Sequence, residues 1–134
     1  MNLEGCTVLI IEDETLISLE MESMLRGAGC RIVGPFASMA KASEAIEHQL
    51  LDAALLDINL GHEMTFPLAD LLCARGVPFI WVTGHSRDIL PARHRDRPIV
   101  SKPYGVDTLL EAVSKVIARS RPASDVTRAQ ASPQ

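Results

Sequence analysis

The sequence lacks several features that would assign it to large classes of protein. No apolar stretch approaches the roughly 20 residues that span a bilayer, so no membrane segment is predicted. Lys and Arg number 13 against 17 Asp and Glu, and no dense basic run occurs. Direct nucleic-acid binding is therefore not expected. No targeting signal is recognisable at the start of the sequence, which predicts a cytoplasmic protein.

Residues that bind transition metals or form disulfides are also few and scattered. The sequence has three cysteines, and no two of them have the spacing C-x-x-C: Cys6, Cys30 and Cys73. This spacing favours reduced, mostly buried thiols over disulfides. The four histidines show no ligand spacing within one predicted element, so no transition-metal site is predicted.

The remaining sequence has the composition of a globular domain and an alternating pattern. Short apolar, β-branched runs alternate with stretches of helical periodicity. Residues 84–97 include few apolar side chains and have Pro91 in their middle, which predicts a loop or a broken helix. We predict one domain over residues 1–119 and a disordered tail, rich in Ser, Pro, Ala and Gln, over 120–134. The predicted strands are 7–11, 30–36, 53–56, 77–82 and 98–101, and the predicted helices are 14–27, 40–48, 66–75 and 105–119.

Strands that alternate with helices predict an α/β fold in which helices cover both faces of a parallel sheet. The strands are apolar without polar alternation, as expected of strands buried on both faces. Right-handed crossovers favour a flavodoxin-like, doubly wound five-stranded sheet of order 2-1-3-4-5, with its fourth helix shortened or replaced by a loop. In such folds the ligand site lies beyond the carboxyl ends of the strands.

Polar side chains follow four of these predicted strands. Carboxylates that lie close together repel one another unless a cation or a proton lies between them, and Mg²⁺ prefers such oxygen ligands. A carboxylate can also act as the nucleophile that forms an aspartyl phosphate, with a lysine and a hydroxyl binding the phosphate. The residues concerned are Glu12, Asp13 and Glu14 after the first strand, Asp57 after the third, Thr83 after the fourth and Lys102 after the fifth.

Glu12-Asp13, Asp57, Thr83 and Lys102-Pro103 resemble the signature of the receiver domain of bacterial response regulators, over residues 7–119. The resemblance implies that Asp57 accepts a phosphoryl group from a sensor histidine kinase or a phosphotransfer protein. It implies that Thr83 and Lys102 bind the acyl phosphate and that the Lys102–Pro103 bond is cis. The implied Mg²⁺ ligands are Glu12, Asp13, Asp57 and the backbone carbonyl of Asn59.

The resemblance also implies an output through a changed protein–protein surface, read by a downstream protein that the sequence does not identify. The chain has room for a receiver domain alone, so we expect either a stand-alone receiver, which the polar tail and the start of the sequence favour, or a segment of a longer protein. Such a domain is not an enzyme in the ordinary sense, because it assists only its own phosphorylation and dephosphorylation.

The sequence departs from the common receiver pattern at Ile99, and it resembles one receiver subgroup at the end of the fourth predicted strand. Ile99 stands where receivers usually carry the Tyr or Phe that acts as a rotating switch residue. The run Trp81-Val82-Thr83-Gly84-His85 is similar to the motif of the FATGUY subgroup, which consists of single-domain regulators often paired with kinases of the HWE class. His85, two residues after Thr83, is a candidate modulator of water access to the phosphate.

Two other functions use similar residues. A phosphohydrolase of the haloacid dehalogenase type also combines an Asp nucleophile, Lys and Mg²⁺. That family needs its nucleophile on the first strand and a second Asp two residues later, whereas Asn59 follows Asp57 here. The second alternative is a pseudo-receiver that binds partners without being phosphorylated.

Overall fold

The computed structural model of the protein describes residues 3–120, and within that range strands and helices alternate as predicted. Its sheet and helices are β1 (Thr7–Ile11), α1 (Thr15–Gly27), β2 (Arg31–Phe36), α2 (Met39–His48), β3 (Ala53–Leu56), β4 (Asn59–Leu60), β5 (Glu63–Met64), α3 (Phe66–Ala74), β6 (Phe79–Thr83), β7 (Ile99–Ser101) and α4 (Val106–Ser120).

Five parallel strands form the main sheet in the order β2-β1-β3-β6-β7. Because β6 and β7 are the predicted fourth and fifth strands, this order confirms the flavodoxin-like topology. A register shift lies between Leu9 and Ile11 of β1, opposite the edge strand β2, which contains the cis peptide Gly34–Pro35.

The sheet is buried on both faces, as its uninterrupted apolar strands predict. Successive residues of a strand point to opposite faces, so each strand supplies two separate cores. One core lies under α1 and α4 and includes Ile10, Met21 and Val113. The other lies under α2 and α3 and includes Leu72 and Trp81.

The connection between β6 and β7 has no α-helix, which confirms the prediction for the fourth helix. Two short 3₁₀ turns, Arg87–Ile89 and Ala92–His94, take its place. Pro91 lies between them, where its missing N–H and fixed backbone angle oppose a continuous helix.

Some features of the chain were not predicted. The strands β4 and β5 pair as a small antiparallel hairpin directly after Asp57. Helix α4 extends to Ser120, so the first residue of the predicted disordered tail is helical. The rest of that tail, residues 121–134, lies outside the described residues. Within residues 3–120, no helix is both long and apolar enough to cross a membrane.

Candidate functional site

The carboxyl ends of β1, β3, β6 and β7 bring the predicted polar residues to one edge of the sheet. Backbone hydrogen bonds hold these ends in register, from Asp57 N to Ile11 O at 3.1 Å and from Lys102 N to Thr83 O at 3.0 Å. An open cleft of about 350 Å³ lies at this edge. It is lined by Asp13, Glu14, Asp57, Asn59, Thr83, Gly84, His85 and Lys102.

The ammonium group of Lys102 lies among three carboxylates. Its Nζ is 2.8 Å from Glu12 Oε1, 3.0 Å from Asp57 Oδ2 and 3.1 Å from Glu14 Oε1. Burial opposes the charge on Lys102, but the bonds to Glu12 and Asp57 outweigh it, and the pKa of Lys102 is raised above its usual value. Lys102 is thus the cation that this site supplies from the protein itself.

Glu12 is the most deeply buried member of the acidic group, at 2% exposure against 8% for Asp57. Burial raises its pKa to about 7, although Lys102 and the backbone N–H of Glu14 both favour the charged form. One carboxylate oxygen each from Glu12, Asp13 and Asp57 lies within 4.8 Å of the others. Three hard oxygen donors this close, two of them on the buried residues Glu12 and Asp57, match the ligands that Mg²⁺ takes in proteins.

Two backbone donors orient the other carboxylates. Ile58 N donates to Asp57 Oδ1 at 2.7 Å, and Gly61 N donates to Asp13 Oδ2 at 2.7 Å. Both donors belong to the segment that follows β3, so the local path of this segment sets where two of the three carboxylates point.

Thr65, which was not predicted as a site residue, closes that segment. It is fully buried, and its hydroxyl shares its single proton between the backbone carbonyls of Asp57 and Ile58, both of which lie within hydrogen-bond distance. Thr65 N also donates to Ile58 O at 2.8 Å. Thr65 therefore fixes the backbone on both sides of the segment that carries Asn59. The sequence around Thr65 carries no signal for this role, because an isolated threonine after a loop is common.

Thr83 is fully buried at the end of β6, and its hydroxyl oxygen accepts a hydrogen bond of 3.0 Å from His85 N. The hydroxyl proton stays available for another acceptor, since a hydroxyl donates one bond and can accept two. The His85 side chain is exposed, and Ile99 lies half-buried opposite Trp81 in the pairing of β6 with β7.

The Lys102–Pro103 peptide is cis, as the resemblance implied. Pro103 belongs to a neighbouring cleft, which shares Glu14 and Lys102 with the acidic site. Of the predicted site residues, Glu12, Ile99 and Pro103 do not line the acidic cleft itself, and Glu12 lies buried behind it against Lys102. Glu14, which the sequence placed after the first strand without a role, is the additional carboxylate partner of Lys102.

The protein-family model for the response regulator receiver domain matches residues 8–114. The chain belongs to this family. Receiver domains are signalling domains of two-component systems, and the sheet, the acidic cluster and Lys102 described above occur in this receiver within the matched range.

Individual proteins with similarity to this receiver include both regulators and isolated domains. The transcriptional regulatory protein PdtaR of Mycobacterium tuberculosis is 29% identical over 118 residues, which cover 85% of this chain and 58% of PdtaR. This receiver spans about half the length of the curated relatives that it matches.

Two solved structures are similar over nearly their whole length. SdrG from Sphingomonas melonis Fr1 is 36% identical with a TM-score of 0.74, covering 87% of this chain and 99% of SdrG. SdrG has also been solved in a BeF3-activated conformation, with a TM-score of 0.71. The second structure is the receiver domain of the sensor histidine kinase PA1611 from Pseudomonas aeruginosa PAO1, which was solved with a magnesium ion in its active-site cleft. It is 25% identical with a TM-score of 0.75, and the match covers 85% of this chain and 98% of that domain.

Proposed function

We propose that this receiver accepts a phosphoryl group on Asp57, in a Mg²⁺-dependent reaction, from a sensor histidine kinase or a phosphotransfer protein. One observation carries the proposal. The Asp57 carboxylate lies 3.0 Å from Lys102 Nζ and has an oxygen within 4.8 Å of carboxylate oxygens of Glu12 and Asp13. A carboxylate nucleophile that contacts a fixed cation and belongs to a cation-binding cluster is suited to phosphoryl transfer.

Glu12, Asp13, Asp57 and the backbone carbonyl of Asn59 would hold Mg²⁺. When bound, the ion neutralises charge on the phosphoryl oxygens during transfer. The magnesium ion in the PA1611 receiver and the BeF3-activated form of SdrG support the assignment by similarity.

Asp57, Lys102 and Thr83 each have a separate role in the transfer. A bond forms between an Asp57 carboxylate oxygen and phosphorus, and the bond from phosphorus to the donor group breaks, with its electron pair leaving on the donor. Lys102 pairs with the phosphoryl oxygens as a fixed positive charge. The Thr83 hydroxyl, already accepting from His85 N, donates its proton to a phosphoryl oxygen.

The response is a changed protein–protein surface near the connection between β6 and β7. Phosphorylation adds charge next to Thr83, whose hydroxyl accepts a hydrogen bond from the backbone N–H of His85 at the start of this connection. The side chain at position 99 is Ile, so the surface change does not use a rotating aromatic at that position. The similarity of residues 81–85 to FATGUY regulators points to a kinase of the HWE class as the donor, and His85 is placed to modulate water access to the phosphate.

Intact-mass spectrometry after incubation with acetyl phosphate and MgCl₂ tests the proposal. The wild type should gain one phosphoryl group, and Asp57→Asn should gain none, because an amide cannot form an aspartyl phosphate. Asp96→Asn is a suitable control, since Asp96 is exposed at the opposite edge of the sheet.

Equal labelling of wild type and Asp57→Asn would refute the assignment of the phosphoacceptor. Equal labelling of the wild type with MgCl₂ and with EDTA would refute the metal requirement. If the wild type gains no phosphoryl group from acetyl phosphate, from phosphoramidate or from a phosphorylated HWE-class kinase, the pseudo-receiver interpretation replaces the proposal.

A further inference from the structure

The hairpin that follows Asp57 is short and tightly constrained. Asn59 pairs with Met64 and Leu60 pairs with Glu63, so Gly61 and His62 form the connecting turn. Leu60 is buried and anchors the hairpin to the core under α2 and α3. Gly61 has a φ of +59°, which L-amino acids with a side chain rarely adopt.

The turn of this hairpin contacts the acidic site through its backbone. Gly61 N donates to Asp13 Oδ2 at 2.7 Å, across 48 positions of sequence. Asp13 is an exposed side chain, so without such a contact it would sample several rotamers. A carboxylate has two oxygens, and a bond to one of them orients the other without removing it from a cation.

We infer that Gly61 is a positioning residue for the metal-binding carboxylate of Asp13. The inference rests on the proposed Mg²⁺ site and extends it. The hairpin carries the Asn59 carbonyl at its base and the Asp13 contact at its turn, so one small element sets the positions of two ligands. Groups that orient a metal ligand from outside the coordination shell commonly change metal affinity by 10–100-fold when they are altered.

The backbone conformation of Gly61 is the reason that glycine is needed there. A Cβ added at Gly61 would meet nothing within 4 Å, so space does not restrict the residue. The positive φ restricts this position to glycine, because an L-residue with a side chain is strained there. Relaxation of the turn would then move the Gly61 N–H away from Asp13. The chain offers a matched control in Gly76, which has a φ of +71° and also has nothing within 4 Å of an added Cβ, but lies at the end of α3.

The test is a titration of MgCl₂ into ¹⁵N-labelled protein, followed in amide correlation spectra and paired with thermal unfolding. Gly61→Ala and Gly76→Ala should lower the melting temperature to a similar extent. Only Gly61→Ala should weaken Mg²⁺ binding, by about tenfold, at the lower end of the range for groups that orient a ligand. An Mg²⁺ affinity of Gly61→Ala equal to that of Gly76→Ala would overturn the inference.

Two further variants separate this inference from the proposed function. Asp13→Ala should move the amide proton of Gly61 to lower frequency, because its acceptor is gone, and should leave Gly76 unmoved. An unmoved Gly61 proton would overturn the inference even if Mg²⁺ binds normally. Gly61→Asn, which tolerates a positive φ better than Ala, should recover most of the affinity, and failure to recover it would also count against the inference. Failure of the wild type to bind Mg²⁺ would instead overturn the proposed metal site.

Discussion

Lys102 is the residue on which the charge balance of the site depends. Its ammonium group is mostly buried and contacts Glu12, Glu14 and Asp57. Of these partners, Glu12 is fully buried at its side chain, and Glu14 is largely exposed. A buried carboxylate without a counter-charge is unfavourable, whereas an exposed one is stabilised by water. The contacts to Glu12 and Asp57 therefore matter more than the contact to Glu14.

Lys102→Met should lower the free energy of unfolding by about 3 kcal/mol, because it leaves Glu12 and Asp57 close together without their cation. The control is Lys115→Met, since Lys115 forms an exposed pair with Glu111 at 3.2 Å on the surface of α4. That change should cost no more than about 0.5 kcal/mol. Urea unfolding of both variants measures the difference, and equal losses would contradict the central role of Lys102.

The connection between β6 and β7 shows how an element without a helix is held in place. Arg87 donates to the carbonyls of Arg95 at 2.7 Å and Arg97 at 2.9 Å. The carbonyls that a helix would satisfy internally are thus bound by an arginine side chain.

The same connection is fastened to α3 by a buried histidine. His94 is 2% exposed, and its Nε2 lies 2.6 Å from Asp70 Oδ1. Arg93 binds both oxygens of the same carboxylate, at 2.8 and 3.0 Å. The hydrogen bond from Arg93, opposed by some burial and assisted by His94, holds the pKa of Asp70 below its usual value of 3.8. The ionised form of Asp70 therefore stabilises the fold.

Asp70→Ala should lower the free energy of unfolding at pH 7 by about 1–3 kcal/mol, because it leaves the buried donor of His94 without its acceptor. A lowered pKa in the folded state contributes stability above pH 3.8, and this contribution is lost as the pH falls through the folded-state pKa. The difference between variant and wild type should thus shrink below pH 3.8. Chemical unfolding between pH 7 and pH 2.5 measures it.

Asp88→Ala is the control for this prediction, since Asp88 is an exposed acid in the same connection. It should change stability by less than about 0.5 kcal/mol at every pH. A stability difference for Asp70→Ala that stays constant from pH 7 to pH 2.5 would mean that packing, not the ionised carboxylate, holds the connection to α3.

The whole domain consists of two cores that share one sheet. The strands belong to both, since neighbouring residues such as Ile80 and Trp81 face opposite sides. Loss of one core would expose one face of every central strand to water, which is unfavourable for strands as apolar as these. We therefore expect the two cores to unfold together.

Met21 is a buried residue of α1, and Leu72 is a buried residue of α3. Met21→Ala and Leu72→Ala should each lower the free energy of unfolding by roughly 2–5 kcal/mol. Trp81, the only tryptophan, reports on the α2–α3 side by fluorescence, and circular dichroism reports on all helices. The two probes should give coincident urea transitions in both variants. Leu50→Ala, at a side chain that is 94% exposed, should have little effect. Separate transitions would show that the cores unfold independently.

The main architecture was predictable because it depends on local patterns. Apolar runs without alternation predicted strands buried on both faces, and the crossover rule then left few topologies for them. The convergence of the polar residues after these strands was predictable for the same reason, since the carboxyl ends of parallel strands meet at one edge. Pro91, with few apolar neighbours, also predicted the missing helix. Each of these inferences uses residues close together in the sequence or a rule that holds for the whole fold.

Other features depend on contacts between distant segments and needed the tertiary structure. The bond from Gly61 to Asp13, the salt bridge from Lys102 to Glu14 and the bond from His94 to Asp70 join positions 48, 88 and 24 residues apart. A short hairpin has too few residues for a periodic pattern, and a histidine in a polar loop resembles any other until its burial is known. Composition and spacing thus determine the strands, the helices and the edge that carries the site. Which carboxylate each donor binds depends on how the chain packs, because hydrogen bonds between distant residues form only after the fold has brought them together.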